Sequence, residues 1–178
     1  GAAIPYLQKI YQMFDDAGYY CQHFLLDSGF MNVPQSRERV FFVCLRKDLA
    51  APFLIQKDMF QKIPALNLSF NFDKIPFGVI QQNDATRKPL PESYHKYWEK
   101  ADRFGVYDER SRGGIKFGYF RKAIKDFPLA TIMAGNTLAI VDSKHLLTDY
   151  ELMLCGSFPT DYNFGKNKAQ YLIGMSVP

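Results

Sequence analysis

The chain has 178 residues, 47% hydrophobic and 16% aromatic, with 22% charged and a formal net charge of +4. That is enough apolar material for one sizeable core, or for a small domain plus part of another, and it excludes a disordered tail. No apolar run reaches bilayer-spanning length and no basic-then-apolar leader opens the chain, while three cysteines without a Cys-x-x-Cys spacing point to a reduced, intracellular setting rather than a disulfide scaffold.

In PYLQKIYQMFDDAG, Leu7, Ile10, Tyr11 and Phe14 recur at helical spacing, with Pro5 near the start and Gly18 past the end. YYCQHFLLD then reads as a strand and RVFFVCLR as a second. The second run is apolar on both faces, which predicts burial in a sheet covered by helices. About eleven residues join the two, too few for a helical crossover, so an antiparallel pair is expected. From Lys47 to about Asp126 the chain is broken by Pro, Asn and Asp, which predicts short strands and loops with one helix at ESYHKYWEKADRF. A Gly-broken basic-aromatic segment, RSRGGIKFGYFRKAIK, follows. LATIMAGNTLAIVD predicts a hairpin turning at Ala134-Gly135-Asn136. Thr148 and Glu151 stand in capping-box spacing ahead of an apolar helical face that Gly156 and Pro159 end. Both ends, GAAIPYL and GMSVP, look like cuts through something larger, and no closing helix is expected before Pro178.

The charge is unevenly spread. Residues 1–46 hold four basic and four acidic groups, residues 47–144 sixteen and eleven, and residues 145–178 two and three. An electrostatic partner is therefore expected to meet the middle of the chain.

Three blocks carry a resemblance. NVPQSRERVFFV resembles the Gln-x-Arg-x-Arg signature of the DNA (cytosine-5) methyltransferases, with Gln35, Arg37 and Arg39 as the matching residues. HLLTDYELMLCGSFPTDYNF resembles the family's Leu-Thr-x-x-Glu helix running into Phe-Pro-x-x-Tyr, through Leu147, Thr148, Glu151, Phe158, Pro159 and Tyr162. QYLIGMSVP resembles its closing Gly-Asn-x-Val-Pro block, through Gly174, Ser176, Val177 and Pro178. Met175 replaces the usual Asn, Leu154 and His145 replace common Args, and Asn32 stands where Gly normally precedes Val-Pro-Gln.

The resemblance implies an α/β fold: the terminal part of a Rossmann-like methyltransferase sheet (residues 1–46), a small, mostly β target-recognition domain (47–144), and a helix and closing block returning to the catalytic domain (145–178). It implies the C-terminal portion of a DNA cytosine-5 methyltransferase that recognises double-stranded DNA and helps hold a flipped cytosine for methyl transfer from S-adenosyl-L-methionine. The Gly-rich cofactor loop, Pro-Cys nucleophile and Glu-Asn-Val acid are expected in an N-terminal catalytic half or subunit, so that this chain alone transfers no methyl group and the cofactor is bound mainly by that half. A bacterial or phage restriction-modification setting, cytoplasmic and nucleoid-associated, is implied. Relatives that modify transfer RNA share the blocks, and a non-catalytic DNA-binding module or split-enzyme subunit is the alternative.

A base inside a duplex must be flipped out before chemistry. In the family a thiolate adds to C6 of the cytosine, and negative charge builds toward O2 and N3. A guanidinium stays protonated and presents planar donors, so Arg39 is assigned to that charge. Arg37, two residues earlier in extended chain, is expected on the same side, holding the loop or a phosphate. Gln35 is expected to orient both arginines. Taken alone, QSRER reads as a solvated turn with a surface ion pair. Gly174, Met175 and Ser176 are placed at the cofactor, with Met175 weakening its binding. Arg110, Arg112, Lys116, Arg121 and Lys122 are expected on DNA, with Lys125 adding to the same basic run; the plain alternative is a basic loop whose aromatics pack inward. Cys21, Cys44 and Cys155 read as small packed hydrophobes, and His23, His95 and His145 lack ligand spacing, so no metal site is expected. Glu151 reads as a helix cap rather than a general acid.

Overall fold

The apolar stripe of the first segment forms helix α1, Ala3–Asp16, and Gly18 (φ +85°) turns the chain out of it, a conformation cheap only for glycine. In this computed structural model residues 3–60, 62–83, 85–98, 101, 106–107, 116–117, 120–135 and 138–178 are described. They divide into two compact units, Gly1–Leu26 with Glu38–Phe70, and Asp27–Arg37 with Asn71–Pro178.

In the first unit, β1 (Tyr19–Asp27) pairs with β3 (Glu38–Arg46). The N–H of Lys47, just past β3, donates to the carbonyl of Gly18, just before β1, at 2.9 Å, so the ribbon runs antiparallel as the short connection requires. Helix α1 meets it through edge-to-face Phe14 and Tyr19 and through the Tyr11 hydroxyl bonded to His23 Nδ1. Strands β4 (Leu54–Gln56) and β5 (Lys62–Pro64) form an antiparallel hairpin. Burial of the second strand on both faces is not what the fold delivers. Leu25 is 63% and Val40 53% exposed, and β3 alternates exposed and half-buried positions from Glu38 to Val43. A two-stranded ribbon with one helix and one hairpin beside it does not have enough partners to cover both faces.

The second unit contains the larger core: Phe77, Ala123, Leu129, Ile132, Leu147, Leu152, Met153, Cys155, Ala169 and Ile173, with Ile80, Phe158 and Phe164 against it. Its strands are short. The two-residue β2 (Gln35–Ser36) runs parallel to β9 (Leu129–Ala130), and β8 (Phe120–Ala123) runs parallel to β10 (Leu138–Val141). The backbones of β6 (Val106–Tyr107) and β7 (Lys116–Phe117) pair antiparallel. The hairpin expected over 129–142 does not form: β9 and β10 each pair elsewhere, because side chains from other segments bind the backbone between them, as described below. Asn136, in the expected turn, lies outside the described residues. Of the helix expected over 92–104, the described part is a tight 3-10 helix, Glu92–Tyr97, followed by Trp98, over whose indole the Lys122 ammonium lies at 4.3 Å.

Helix α2 (Asp149–Cys155) begins at the foreseen capping box, Thr148 accepting from the Glu151 N–H while Glu151 accepts from the Thr148 N–H. A further helix, α3 (Ala169–Met175), replaces the irregular closing block expected from sequence. It packs on α2 where Gly156 leaves no side chain: a Cβ there would overlap Ile173 and press within 3.2 Å of Phe158.

Candidate functional site

The Gln-x-Arg-x-Arg segment is anchored by a residue that sequence reading passed over. Asp27, at the end of β1, accepts from the Gly29 N–H (3.0 Å), the Ser36 hydroxyl (2.9 Å), the Arg37 N–H (2.9 Å) and Lys74 Nζ (3.0 Å). Burial pushes its carboxyl up, but the Gly29, Lys74 and Ser36 bonds outweigh this and hold it below the usual carboxylate range. Ser28 closes the same loop through its hydroxyl to Gln35 O at 2.6 Å. Asn32 adopts φ +60°, a left-handed conformation that favours Gly and tolerates Asn, which accounts for the Gly-to-Asn departure at this position.

Within this loop Gln35 and Arg37 are buried, 1% and 5% exposed, and both reach far along the chain. Gln35 accepts from the Ile132 N–H at 2.9 Å and donates to Cys155 O at 2.8 Å. Arg37 donates from Nη1 to Ile132 O at 2.7 Å and from Nη2 to Gly174 O at 2.9 Å. Gly174 makes this closeness possible, since a Cβ there would lie 2.6 Å from Ala134 Cα and closer still to Ala134 N and Met133 C. The first block, the 131–134 loop, the end of α2 and the end of α3 are thereby joined in one buried hub. Each buried carbonyl that would otherwise be unmet finds a charged or amide donor.

Two sequence expectations change here. Gln35 bonds backbone at Ile132 and Cys155 instead of orienting the arginines, because the nearest unmet groups at its depth are main-chain ones. Arg37, expected to hold the loop or a phosphate, turns its two nitrogens to the carbonyls of Ile132 and Gly174. Arg39 differs from it. Half-buried, it makes a 2.6 Å bond from Nη1 to Glu38 O, one residue away.

The second block is organised around an ion pair. Glu151, 0% exposed, is gripped by both guanidinium nitrogens of Arg87, Nη1 to Oε2 at 2.7 Å, and accepts from the Gln82 N–H at 2.8 Å. Burial raises the carboxyl, yet the Arg87 bonds and the Thr148 and Gln82 amides win and hold it below its ordinary range. Arg87 was not singled out from sequence. A buried capping-box Glu signals a need for a cation, but nothing marks one so far upstream.

At the closing block, Gly174 is sealed against the Ala134 backbone, the Ser176 hydroxyl is taken by Ile173 O at 2.7 Å, and Met175 is 56% exposed. Of the basic residues, Arg121 donates to Thr131 O at 2.8 Å and approaches Met133 Sδ at 3.6 Å, bracing the same 131–134 loop. Lys122 lies over Trp98. Arg110 and Arg112 fall outside the described residues, and Lys116 is described by its backbone in β7. Burial, with the Glu151 charge beside it, pushes the Cys155 thiol up; burial and Cys44 push Cys21 up to about 11. Neither is suited to act as a thiolate near neutrality. Among the described residues no group of three His, Cys, Asp or Glu side chains gathers as metal ligands, and no helix is long and apolar enough to cross a membrane.

The model of the C-5 cytosine-specific DNA methylase family matches residues 4–178. The chain belongs to that family. Among curated proteins, it is similar to the orphan methyltransferase M.SPRI of Bacillus phage SPR, 31% identical over 106 residues, covering 54% of this chain and 24% of the phage protein. Among solved structures it is similar to a mutant of Spodoptera frugiperda DNMT2 (TM-score 0.58, 17% identity, 92% of this chain and 56% of that one). The Dnmt2 methyltransferase of S. pombe gives a TM-score of 0.55 at 13% identity, over 96% and 57% of the two chains. Entamoeba histolytica EhMeth gives 0.51 at 16%, over 96% and 53%. These likenesses establish an α/β methyltransferase fold. The chain spans about a quarter of the phage relative and just over half of each solved structure. Its three sequence blocks, separated by as many as 137 residues in the Arg37–Gly174 bond, meet in the hub.

Proposed function

We propose that this methylase chain acts as the C-terminal portion of a DNA cytosine-5 methyltransferase, recognising a duplex site and holding a flipped cytosine. The observation that carries the reading is the division of labour between the two arginines. Arg37 is spent on the Ile132 and Gly174 carbonyls inside the hub, while half-buried Arg39 bonds a backbone oxygen one residue away. A guanidinium so placed is available to a ligand, and it stabilises the charge that grows on a cytosine ring when a thiolate adds to C6. Residues 1–46 then belong to the end of the catalytic domain, 47–144 to target recognition, and 145–178 to the returning helix. The nucleophile comes from the N-terminal catalytic half, in keeping with the raised thiols of Cys21 and Cys155.

The family implies S-adenosylmethionine as methyl donor. The closing block of this chain does not by itself fit that group: the space beside Gly174 is filled by Ala134 backbone, the Ser176 hydroxyl is already bonded, and Met175 offers a thioether. What this chain supplies is the framework and Arg39, with Arg110, Arg112 and Lys116 as DNA contacts. Arg121 braces the 131–134 loop.

The test is transfer of a labelled methyl group to duplex DNA by the complete protein, followed by nucleoside analysis. Label in 5-methylcytosine is expected, and none from residues 1–178 alone. Label in RNA but not DNA, or turnover by residues 1–178 alone, overturns the reading.

A further inference from the structure

The ribbon of β1 and β3 carries a chemistry that methyl transfer does not use. The Lys47–Gly18 bond sets its register, in which His23 lies opposite Phe42 with ring centres 6.1 Å apart. The same register puts Cys21 opposite Cys44, and their sulfurs lie 3.4 Å apart, the Cys44 thiol directed at the Cys21 sulfur. Gly18 and Lys47 occupy a hydrogen-bonded position, and three steps along an alternating antiparallel ladder lead to a non-hydrogen-bonded one. There the Cα atoms approach to about 4.5 Å, at the short end of the roughly 4.4–6.8 Å that a disulfide spans. Both side chains are half-exposed, whereas Cys155 is fully buried.

We propose that Cys21 and Cys44 form a redox modification site that closes a cross-strand disulfide on meeting a low-molecular-weight disulfide such as oxidised glutathione. The Cys44 thiolate attacks a glutathione sulfur, forming a mixed disulfide and releasing one reduced glutathione. The facing Cys21 thiol then gives up its proton to solvent and attacks the protein sulfur of that mixed disulfide, forming the Cys21–Cys44 bond and releasing the second. The two thiols lose two electrons and two protons in all, and the external disulfide is reduced to two thiols. The second step is fast because the partner sulfur is already at 3.4 Å. Excess small thiol runs the same two exchanges backwards, so the modification is reversible. The ring it closes contains residues 22–43, and with them Gln35, Arg37 and Arg39.

The reduced chain is treated anaerobically with excess oxidised glutathione, quenched in acid, alkylated and digested without reduction. The expected product is one peptide pair joining Cys21 to Cys44, lost on adding dithiothreitol, with Cys155 recovered in alkylated form. Cys21→Ser is expected to stop at a stable glutathione adduct on Cys44. A wild-type chain that accumulates glutathione adducts without the bridged peptide, keeps all three thiols, or bridges through Cys155 overturns the proposal.

Discussion

Gly174→Ala tests the hub at its tightest point. The added Cβ would sit 2.6 Å from Ala134 Cα and inside contact of the Met133 carbonyl carbon, atoms of main chain that cannot rotate away. Overpacking of this kind costs about 1–3 kcal/mol. Moving α3 off the loop also stretches one of the two Arg37 bonds to Gly174 and Ile132, each worth about 1.5–3 kcal/mol when the donor is charged. Against this, Ala gains up to about 1 kcal/mol over Gly within a helix. The balance is a loss of about 2–5 kcal/mol, or roughly 5–20 °C in Tm for a chain of this size. Urea and thermal unfolding of wild type and variant measure it. The sign decides: were the position open, Ala would stabilise, so an unchanged or raised stability refutes the close approach and with it the hub.

Glu151→Gln is expected to cost about 3–5 kcal/mol near neutrality, because it leaves Arg87 buried without its counter-charge. Glu151 is depressed in the folded state, so its contribution is complete above the unfolded value of about 4.3 and vanishes as pH falls through the lower folded value. The acid limb of a stability-against-pH curve should therefore be shallower in the variant, and an unaltered limb contradicts the assignment. Replacing Arg110, Arg112 and Lys116 together is expected to flatten the log–log salt dependence of DNA binding by roughly two to three units. An unchanged slope with an intact circular dichroism spectrum places the DNA surface elsewhere.

What the sequence disclosed was local. Helix α1 with Gly18, the two strands of the ribbon and the Thr148–Glu151 capping box all follow from signals spanning a few residues, and they sit where those signals put them. The resemblance of the three blocks pointed to the right family. The hub was not legible, because Gln35 reaches partners 97 and 120 residues away and nothing in an amide's neighbourhood names them. The same long reach undid the hairpin over 129–142: strand propensity was right for Leu129 and Leu138, but Gln35, Arg37 and Arg121 occupy the backbone between them. Asp27 and Arg87 carry no mark in the sequence, and only the fold surrounds them with donors and acceptors. The exposure of Val40 was equally hidden, since apolar content states what a strand can bury and not how many neighbours it has.

The split between the two arginines is tested most directly by single-turnover methyl transfer at saturating DNA, with Arg39→Ala in the complete enzyme. Removing one donor that stabilises developing charge is expected to slow the chemical step by roughly a hundredfold or more, with unfolding of the variant within about 0.5 kcal/mol of wild type. A near-wild-type rate in Arg39→Ala would contradict the assignment and remove Arg39 from the chemistry.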